Sequence, residues 1–598
     1  MSLTIHLLGR PQITRTAGET YQFRSRKSWA VLAYLVLSER PPSRSQIASL
    51  LFAEADDPAR ALRWSLAEIR RGLGDEGSVD GDPVALQLAA DATVDVNVIT
   101  HGTWSEAIRL PSLGADLLDG AAVRGAAAFE TWQLSQHRHL AAASEAILHE
   151  AAIGSLSRDE IEAAIGYAVR ATSMSPLDEN HQALLIRLYR LAGDDVSATR
   201  QYHRCVELFD AELGTAPGSA VEAAMRESRR DPDEVADDAT IEAVVEAGSA
   251  AVAAGAIEAG IHTLRTAARL ADGAKSVELR VSSRLVLAEA LVHSLGGLDE
   301  EGLATLTEAD EIALAHGLHA SVAQARAELG YVDFLRGRYD RSVVWLSDAL
   351  RFADGSPPLV AKITTYLGSV ASDRADYPRA LTLLEDAAAL SNSLGDLRRA
   401  SYTHSMLGRF HFLRGDLGAA AASADLAIEL AERDRWLAFV PWPQAIRAEI
   451  LLARGDHDGA SQVLEQAFAR ACLLGDPCWE GMTARGLALL AEASGQTERA
   501  FEILSDARAR TNRLADPYVW LDAYILDAQC ELGRRHDHPD TSHWVATMQR
   551  LTSRTGMKEL SVRSLLHGAG LGSAGDAAAA VLLAADIDNP RLAALVTG

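Results

Sequence analysis

The sequence predicts a mainly α protein: a small mixed α+β head, then helices for the rest of its length. Three observations carry that expectation. Aromatic residues make up only 6% of the 598 positions while Ala is abundant, a composition suited to helices that pack through small side chains. Segments of alternating, β-branched character are confined to about the first hundred residues. From about residue 243 onward the chain repeats itself at steps near 40 residues.

In chain order, residues 2–24 read as strands, with LTIHLLG, a turn at Gly18 and TYQF. RKSWAVLAYLVLS, Arg26 to Ser38, is an apolar helix with Arg26 and Lys27 at its entry. After Pro41 and Pro42, the cluster Ser43, Arg44, Ser45 caps a short helix ending in QIASLLF. DPARALRWSLAEIRRGL follows, from Asp57 to Leu73. Asp57 is an N-cap residue and Pro58 suits the first helical position, where its missing N–H is no loss. At about 100° per residue, Leu62, Leu66, Ile69 and Leu73 form a narrow apolar stripe that must face a core. The other side carries Arg60, Trp64, Ala67 and Arg71, with Arg63 and Arg70 on one shoulder and Glu68 on the other. Guanidinium forks flanking an outward Trp suit a helix lying in a DNA major groove, the forks for phosphates or guanine edges and the ring for sugars or thymine methyls. A solvated basic face is the plainer alternative. Two β-like segments, VALQL and TVDV, close the unit near residue 98. Strands, three helices with the third basic, then a terminal hairpin is the order of a winged helix.

Charge sharpens this picture. The whole chain has a net charge of −25, yet residues 1–74 hold 11 Lys and Arg against 6 Asp and Glu, a net +5 that leaves −30 on the remainder. A basic head on an acidic body fits a single nucleic-acid contact surface and excludes a general nucleic-acid coat. Four scattered cysteines, at 205, 472, 478 and 530, give no disulfide framework. The start, MSLTIHLLGRP, lacks the features of a signal peptide, and the longest apolar run, Ala577 to Ala585, is too short to span a membrane. A cytoplasmic protein with no membrane partner is expected.

Residues 101–228 are helical by pattern. Ala164, Ala171 and Pro176 sit at the small-residue and terminating-proline spacings of a tetratricopeptide (TPR) unit, and Gly193, Ala198 and Tyr202 begin another. ESRRDPDEVADDAT, from Glu227 to Thr240, is charged and nearly free of large apolar residues, as a linker is. Beyond it, turn positions recur at Gly255, Gly297, Gly337, Ala375, Gly415, Gly455, Gly495 and Gly533, in steps of 42, 40, 38, 40, 40, 40 and 38. Around each lies a helix, a turn such as LRGRYD or ARGDHD, and a second helix rich in small residues. TPR units are about 34 residues long, so these are lengthened relatives that stack into a solenoid with an extended concave surface. The expected organisation is a winged-helix domain at 1–100, a helical domain at 101–228, a linker at 229–242 and a TPR-like α-solenoid with a helical cap at 243–598.

VLAYLVLSERPPSRSQIASLLFAEADDPARALRWSLAEIRRGLG resembles the winged-helix segment of the SARP-type bacterial transcriptional activators. The likeness continues through VDV at 94–96, GADLLDG at 114–120, FETW at 129–132 and the stretch ATSMSPLDENHQALLIRLYRLAGDDVSATRQYHRCVELFDAELGTAP, which resemble the family's bacterial transcriptional activation domain. It covers about residues 1–228. One departure stands out: a Ser-Arg-Leu-Arg run late in the recognition helix is common in the family, and here the residues are Ala67, Glu68, Ile69 and Arg70, so an acid replaces one base expected to meet a phosphate. The resemblance implies binding to direct repeats near a promoter and recruitment of RNA polymerase.

The DNA-contact set read from the sequence is Arg60, Arg63, Trp64, Arg70 and Arg71 on the basic helix, with Arg44, Arg26 and Lys27 at entries to the other two helices, where backbone N–H groups and dipole ends also favour phosphate. Gln87 in the wing reads as an exposed strand residue. GLGSAG at 570–575 satisfies GxGxxG, but a dinucleotide site needs a strand before the glycines, and MKELSVRSLLH reads as a helix. GAKS at 273–276 lacks the upstream glycine of a phosphate loop. His536, His538 and His543 lack a second half with metal-ligand spacing, His137 and His139 read as surface, and Cys472 and Cys478 flank a loop. The tryptophans at 345, 442, 479, 520 and 544 read as repeat core, with Trp442 in VPWPQ the one to seek in a groove. No catalytic triad or carboxylate pair is recognisable, so no enzyme activity, cofactor or metal is expected. The expected partners are double-stranded promoter DNA, RNA polymerase, a second copy of the chain, and a protein or small-molecule effector in the repeat groove. With no receiver domain expected before the winged helix, that effector is the expected switch. A TPR scaffold with a degenerate winged helix is the alternative.

Overall fold

The computed structural model describes residues 3–597 apart from 16–17, 39, 122, 124, 159, 227–236, 254–256, 295–299 and 514–516. Most of the expected linker, and the turn positions Gly255 and Gly297, lie outside the described residues; from Asp238 the chain is helical again, in Asp238–Ala253. The fold is mainly α. Two compact units form, one from Met1–Ile147 with Gly533–Asp588 and Leu592–Gly598, the other from Leu148–Leu532 with Asn589–Arg591.

The first unit opens with β1 (Thr4–His6), β2 (Gln12–Thr14) and β3 (Thr20–Tyr21), followed by α1 (Arg26–Leu37), α2 (Arg44–Phe52) and α3 (Pro58–Leu73). Next come β4 (Gly77–Asp80), β5 (Ala85–Leu88) and β6 (Thr93–Val94). The terminal hairpin differs from the expected one. ALQL pairs antiparallel with Gly77–Asp80, Val79 opposite Leu86, whereas Thr93–Val94 runs parallel to β1 as the edge of a sheet ordered β3-β2-β1-β6. Asp95, fully buried, starts α4 (Asp95–His101), and its carboxylate accepts hydrogen bonds from the Leu7 and Leu8 amides at 2.9 and 3.0 Å. That joint fixes the end of β1 to the entry of α4. Burial pushes the Asp95 carboxyl up despite the amide donors.

After the short α5 (Trp104–Ala107), α6 (Ala127–Ser157) carries Trp132 edge-on against Tyr34 of α1 at 5.1 Å. The C-terminal helices Thr541–Thr555, Lys558–Gly570 and Ala574–Ala584 complete this unit. Arg138 donates to Ser553 Oγ at 3.3 Å, His139 Nδ1 lies 3.2 Å from the Arg554 carbonyl, and Arg554 pairs with Glu145 at 3.4 Å. His139 is thus tied to the C-terminal segment instead of lying free on the surface. Burial, with Asp586 nearby, pushes the Tyr34 phenol up to about 12.

In the second unit, helices pair in hairpins. The turns at Gly337, Ala375, Gly415, Gly455 and Gly495 all adopt positive φ, between 61° and 89°. Gly533 departs from the series. It lies within the helix Val519–Arg535, where a Cβ would come 2.5 Å from Thr541 Oγ1, so its small size admits the next helix, and the positive φ falls instead at Asp537. Within the pairs, a Cβ at Gly330 would meet Leu346 at 2.6 Å and one at Gly368 would meet Leu384 at 2.8 Å. Small residues there let the two helices of a pair close on one another. Among the described residues no helix is long and apolar enough to cross a membrane.

Ion pairs stitch each repeat to the next. Arg409 with Asp373, Arg485 with Glu449, Arg398 with Asp434 and Arg336 with Glu300 are each separated by 36 residues, about one repeat. Glu300 also accepts from His149 Nε2 at 2.8 Å, both side chains being buried. Burial alone would raise the Glu300 carboxyl, but His149, Arg336 and Arg187 beside it hold it at about 2, below the usual value near 4.5. A depressed carboxyl contributes stability that is fully present above its unfolded value and lost as pH falls through the folded one. The expected result is a loss on the order of 3 kcal/mol from this group between pH 5 and pH 2. Urea titrations of wild type and Glu300→Gln across that range check it, the variant showing the shallower decline.

Candidate nucleic-acid interface

The basic helix α3 is built as its sequence demands. Asp57 Oδ1 accepts from the Arg60 amide at 2.8 Å and Pro58 occupies the first turn. Leu62, Leu66, Ile69 and Leu73 are all buried, which pins that face to the head's interior. Arg15 closes the other end, its Nε donating to the Gly72 carbonyl at 3.0 Å.

Arg60, Arg63 and Arg71 are exposed on the opposite face, and Trp64 keeps 48% of its surface open. Among the described residues none of the three arginines has a carboxylate within ion-pairing distance. Arg71 Nε donates to the Ala67 carbonyl of the same helix at 3.3 Å, so the exposed indole lies among guanidinium groups that have no acidic partner among the described residues. Arg26 is also exposed, at the start of α1.

The other expected contacts are engaged within the head. Arg70 Nε donates to the Val79 carbonyl at 2.9 Å and its Nη2 pairs with Asp80 at 2.7 Å, which ties α3 to the hairpin. Arg44 Nε donates to the Gly81 carbonyl, and its amide to Asp82, at 2.9 Å each, holding the hairpin turn against the start of α2. Lys27 Nζ donates to the Leu51 carbonyl at 2.8 Å and lies over the Phe52 ring, where it neutralises the C-terminal end of α2. Gln87 is exposed on the hairpin.

Glu68 requires a correction. It is 2% exposed and points inward, accepting from Ser28 Oγ at 2.6 Å and from the Arg24 amide at 2.7 Å. Its carboxylate receives donors at the entry of α1, where the helix dipole favours negative charge. It therefore faces no phosphate, and the acid does not oppose DNA. Glu68→Ala would leave two donors without their acceptor, for an expected loss of about 1–3 kcal/mol of head stability. Denaturant unfolding followed at Trp29, which packs 4.1 Å from Phe23 in the same core, measures it, with Glu68→Gln recovering part.

The two remaining sequence motifs have structural explanations. Residues Lys558–Gly570 ahead of the GxGxxG match are a helix, and His538 of the histidine cluster stacks on Trp544 at 4.6 Å. Cys472 and Cys478 are both free thiols.

A basic helix is held at the surface of a small α+β head, and paired helices follow it. Residues 87–229 match the family model of the bacterial transcriptional activator domain, so the chain carries that domain between the head and the helical repeats. A comparison with curated protein sequences gives no match. Among solved structures, Mycobacterium tuberculosis EmbR in complex with a low-affinity phosphopeptide is 23% identical at a TM-score of 0.30, covering 38% of this chain and 66% of its own. The chain thus spans just under two thirds of that protein. A Rap protein complexed with competence and sporulation factor is 10% identical at 0.42, covering 60% of this chain and 99% of its own. The STAND protein PH0952 of Pyrococcus horikoshii, with its tetratricopeptide repeat sensor, is 15% identical at 0.34, covering 85% and 65%.

Proposed function

We propose that the chain is a sequence-specific DNA-binding transcriptional activator. α3 enters the major groove with Arg60, Arg63, Trp64 and Arg71, while Arg26 meets backbone phosphate. Arg44, Arg70 and Lys27 act by holding the hairpin and helices in register. The activator domain, taken as 101–228 behind a head of 1–100, contacts RNA polymerase or a second copy of the chain. The repeats from 243 bind the protein or small molecule that biases the head, by preferring one arrangement over another.

The observation that carries this reading is Arg60, Arg63 and Arg71, none with an acidic partner among the described residues, beside an open Trp64 on a helix whose other face is locked by four aliphatic side chains. The scaffold alternative rests on Glu68 as an acid in the basic helix and on the acidic body; Glu68 points inward to Ser28 Oγ and lends it no support, which leaves the acidic body. Selection of genomic fragments by the purified full chain, followed by sequencing, tests the proposal. Enrichment of a shared motif supports it, with a log–log salt slope of about −0.9 per phosphate contact. Failure to retain any fragment at low salt overturns it.

A further inference from the structure

The loop that leads into α1 is pinned to α3 at two successive residues. The Phe23 ring is buried against α3 at Gly72, where a Cβ would come 2.6 Å from the ring. One residue on, the Arg24 amide donates to Glu68 Oε1 at 2.7 Å, and Ser28 Oγ donates to the other carboxylate oxygen at 2.6 Å. With Phe23 turned inward, Arg24 turns out and is exposed, as is Arg26. Ser25 between them is extended, at φ −103° and ψ 128°. Side chains on either side of an extended residue leave the same face of the backbone, about 6.6 Å apart. Neither arginine has a carboxylate within ion-pairing distance, or a hydrogen bond from its guanidinium, among the described residues.

Around the axis of α3 this loop lies on one shoulder and the hairpin on the other. Counting about 100° per residue from the outward Arg60, Glu68 falls about 80° to one side, next to Trp64 and Arg71, and Arg70 about 80° to the other. The two shoulders differ in what their arginines do. On the hairpin shoulder Arg70 is occupied by the Val79 carbonyl and Asp80, and Arg44 by the Gly81 carbonyl. On the Glu68 shoulder the guanidinium groups of Arg24 and Arg26 stay open to solvent. A major groove is about 12 Å wide and a helix with its side chains about 10–12 Å across, so a helix lying in it has a phosphate-lined wall close on each side.

We infer that Glu68 is a positioning residue for DNA binding: by gripping the Arg24 amide it sets the Arg24 side chain, with Arg26 beside it, against the phosphates on its own shoulder of α3. The acid in the basic helix thus hands a phosphate contact to Arg24 instead of making one. The inference rests on the DNA reading above and adds to it a residue, Arg24, and a role for Glu68. Fluorescence anisotropy of the full chain with a labelled duplex of random sequence, across a sodium chloride series, tests it, because phosphate contacts carry no sequence requirement. Arg24→Gln is expected to bind more weakly and to show a log–log salt slope shallower by about 0.9, the share of one contact. Glu68→Ala is expected to do the same, although it removes an acid from a basic surface, a change that by charge alone would tighten binding. Glu68→Gln still accepts from the Arg24 amide and is expected to keep the wild-type slope. The double variant Arg24→Gln with Glu68→Ala is expected to lose no more than Arg24→Gln alone, because both remove the same contact. A circular dichroism melt of each variant reads folding separately; if Glu68→Ala unfolds, Glu68→Asp, too short to reach both donors, takes its place with the same expected loss. A wild-type slope in Arg24→Gln, or a folded Glu68 variant of either kind that binds as tightly as wild type or tighter, overturns the inference and leaves the DNA reading standing. A wild-type chain that binds no duplex at low salt overturns both.

Discussion

Replacing Arg60 and Arg71 together by Ala is expected to abolish retention of promoter DNA at moderate salt while leaving helicity and melting behaviour unchanged. Both side chains are exposed and neither has an acidic partner among the described residues, so their loss removes no ion pair and only the exposed donation of Arg71 Nε to the Ala67 carbonyl within the same helix. Each phosphate contact contributes to the salt slope, so whatever weak binding survives at low salt should show a slope shallower by about 0.9 per lost contact. Gel retardation across a salt series, beside a circular dichroism melt, reads both outcomes. Arg70→Ala separates a DNA contact from a brace. It is expected to loosen the hairpin through the lost pair with Asp80 and to weaken DNA binding less than the double variant does.

The second large effect lies in the repeats. Arg409 is almost wholly buried, pairs with Asp373, donates to Tyr518 Oη and lies 4.3 Å from the Trp520 ring. Asp373 in turn accepts from Tyr518 at 2.9 Å and from Tyr339 at 3.0 Å. This node joins four helical segments, and removing one charge strands the other without solvent. Arg409→Ala is expected to destabilise the second unit by about 3–5 kcal/mol. The double change Arg409→Met with Asp373→Leu removes both charges and is expected to restore much of that loss, because apolar substitutes escape the desolvation penalty. Urea unfolding followed by near-ultraviolet circular dichroism, which reports the Trp and Tyr packing at the node, distinguishes the two.

Local pattern carried far in this chain. The cap at Asp57, the aliphatic stripe of α3 and the turns from Gly337 to Gly495 follow from rules that act within a few residues, and Ala375 takes its positive φ where the period placed it. What pattern missed depended on distant partners. Glu68 sits at the border of the apolar stripe, and only Ser28, 40 residues earlier, decides that it turns inward. Gly77–Asp80 has weak strand propensity, and pairing with Ala85–Leu88 makes it a strand. Arg70 and Arg44 look as free as Arg60 until the hairpin folds back and brings Asp80 and Asp82 to them. Trp442, the ring expected in a groove, is instead buried beside Trp479 and Tyr518, because prolines on either side start a helix that turns it inward.

One feature of the first unit bears on how the protein is made. Its compact body draws on Met1–Ile147 and on Gly533–Asp588, so everything from Leu148 to Leu532 leaves the ribosome in between. At about 5–20 residues per second that interval is on the order of half a minute. For that time the newborn amino-terminal portion lacks the closing helices that Arg138 and His139 grip, and it can complete its fold only when translation is nearly over.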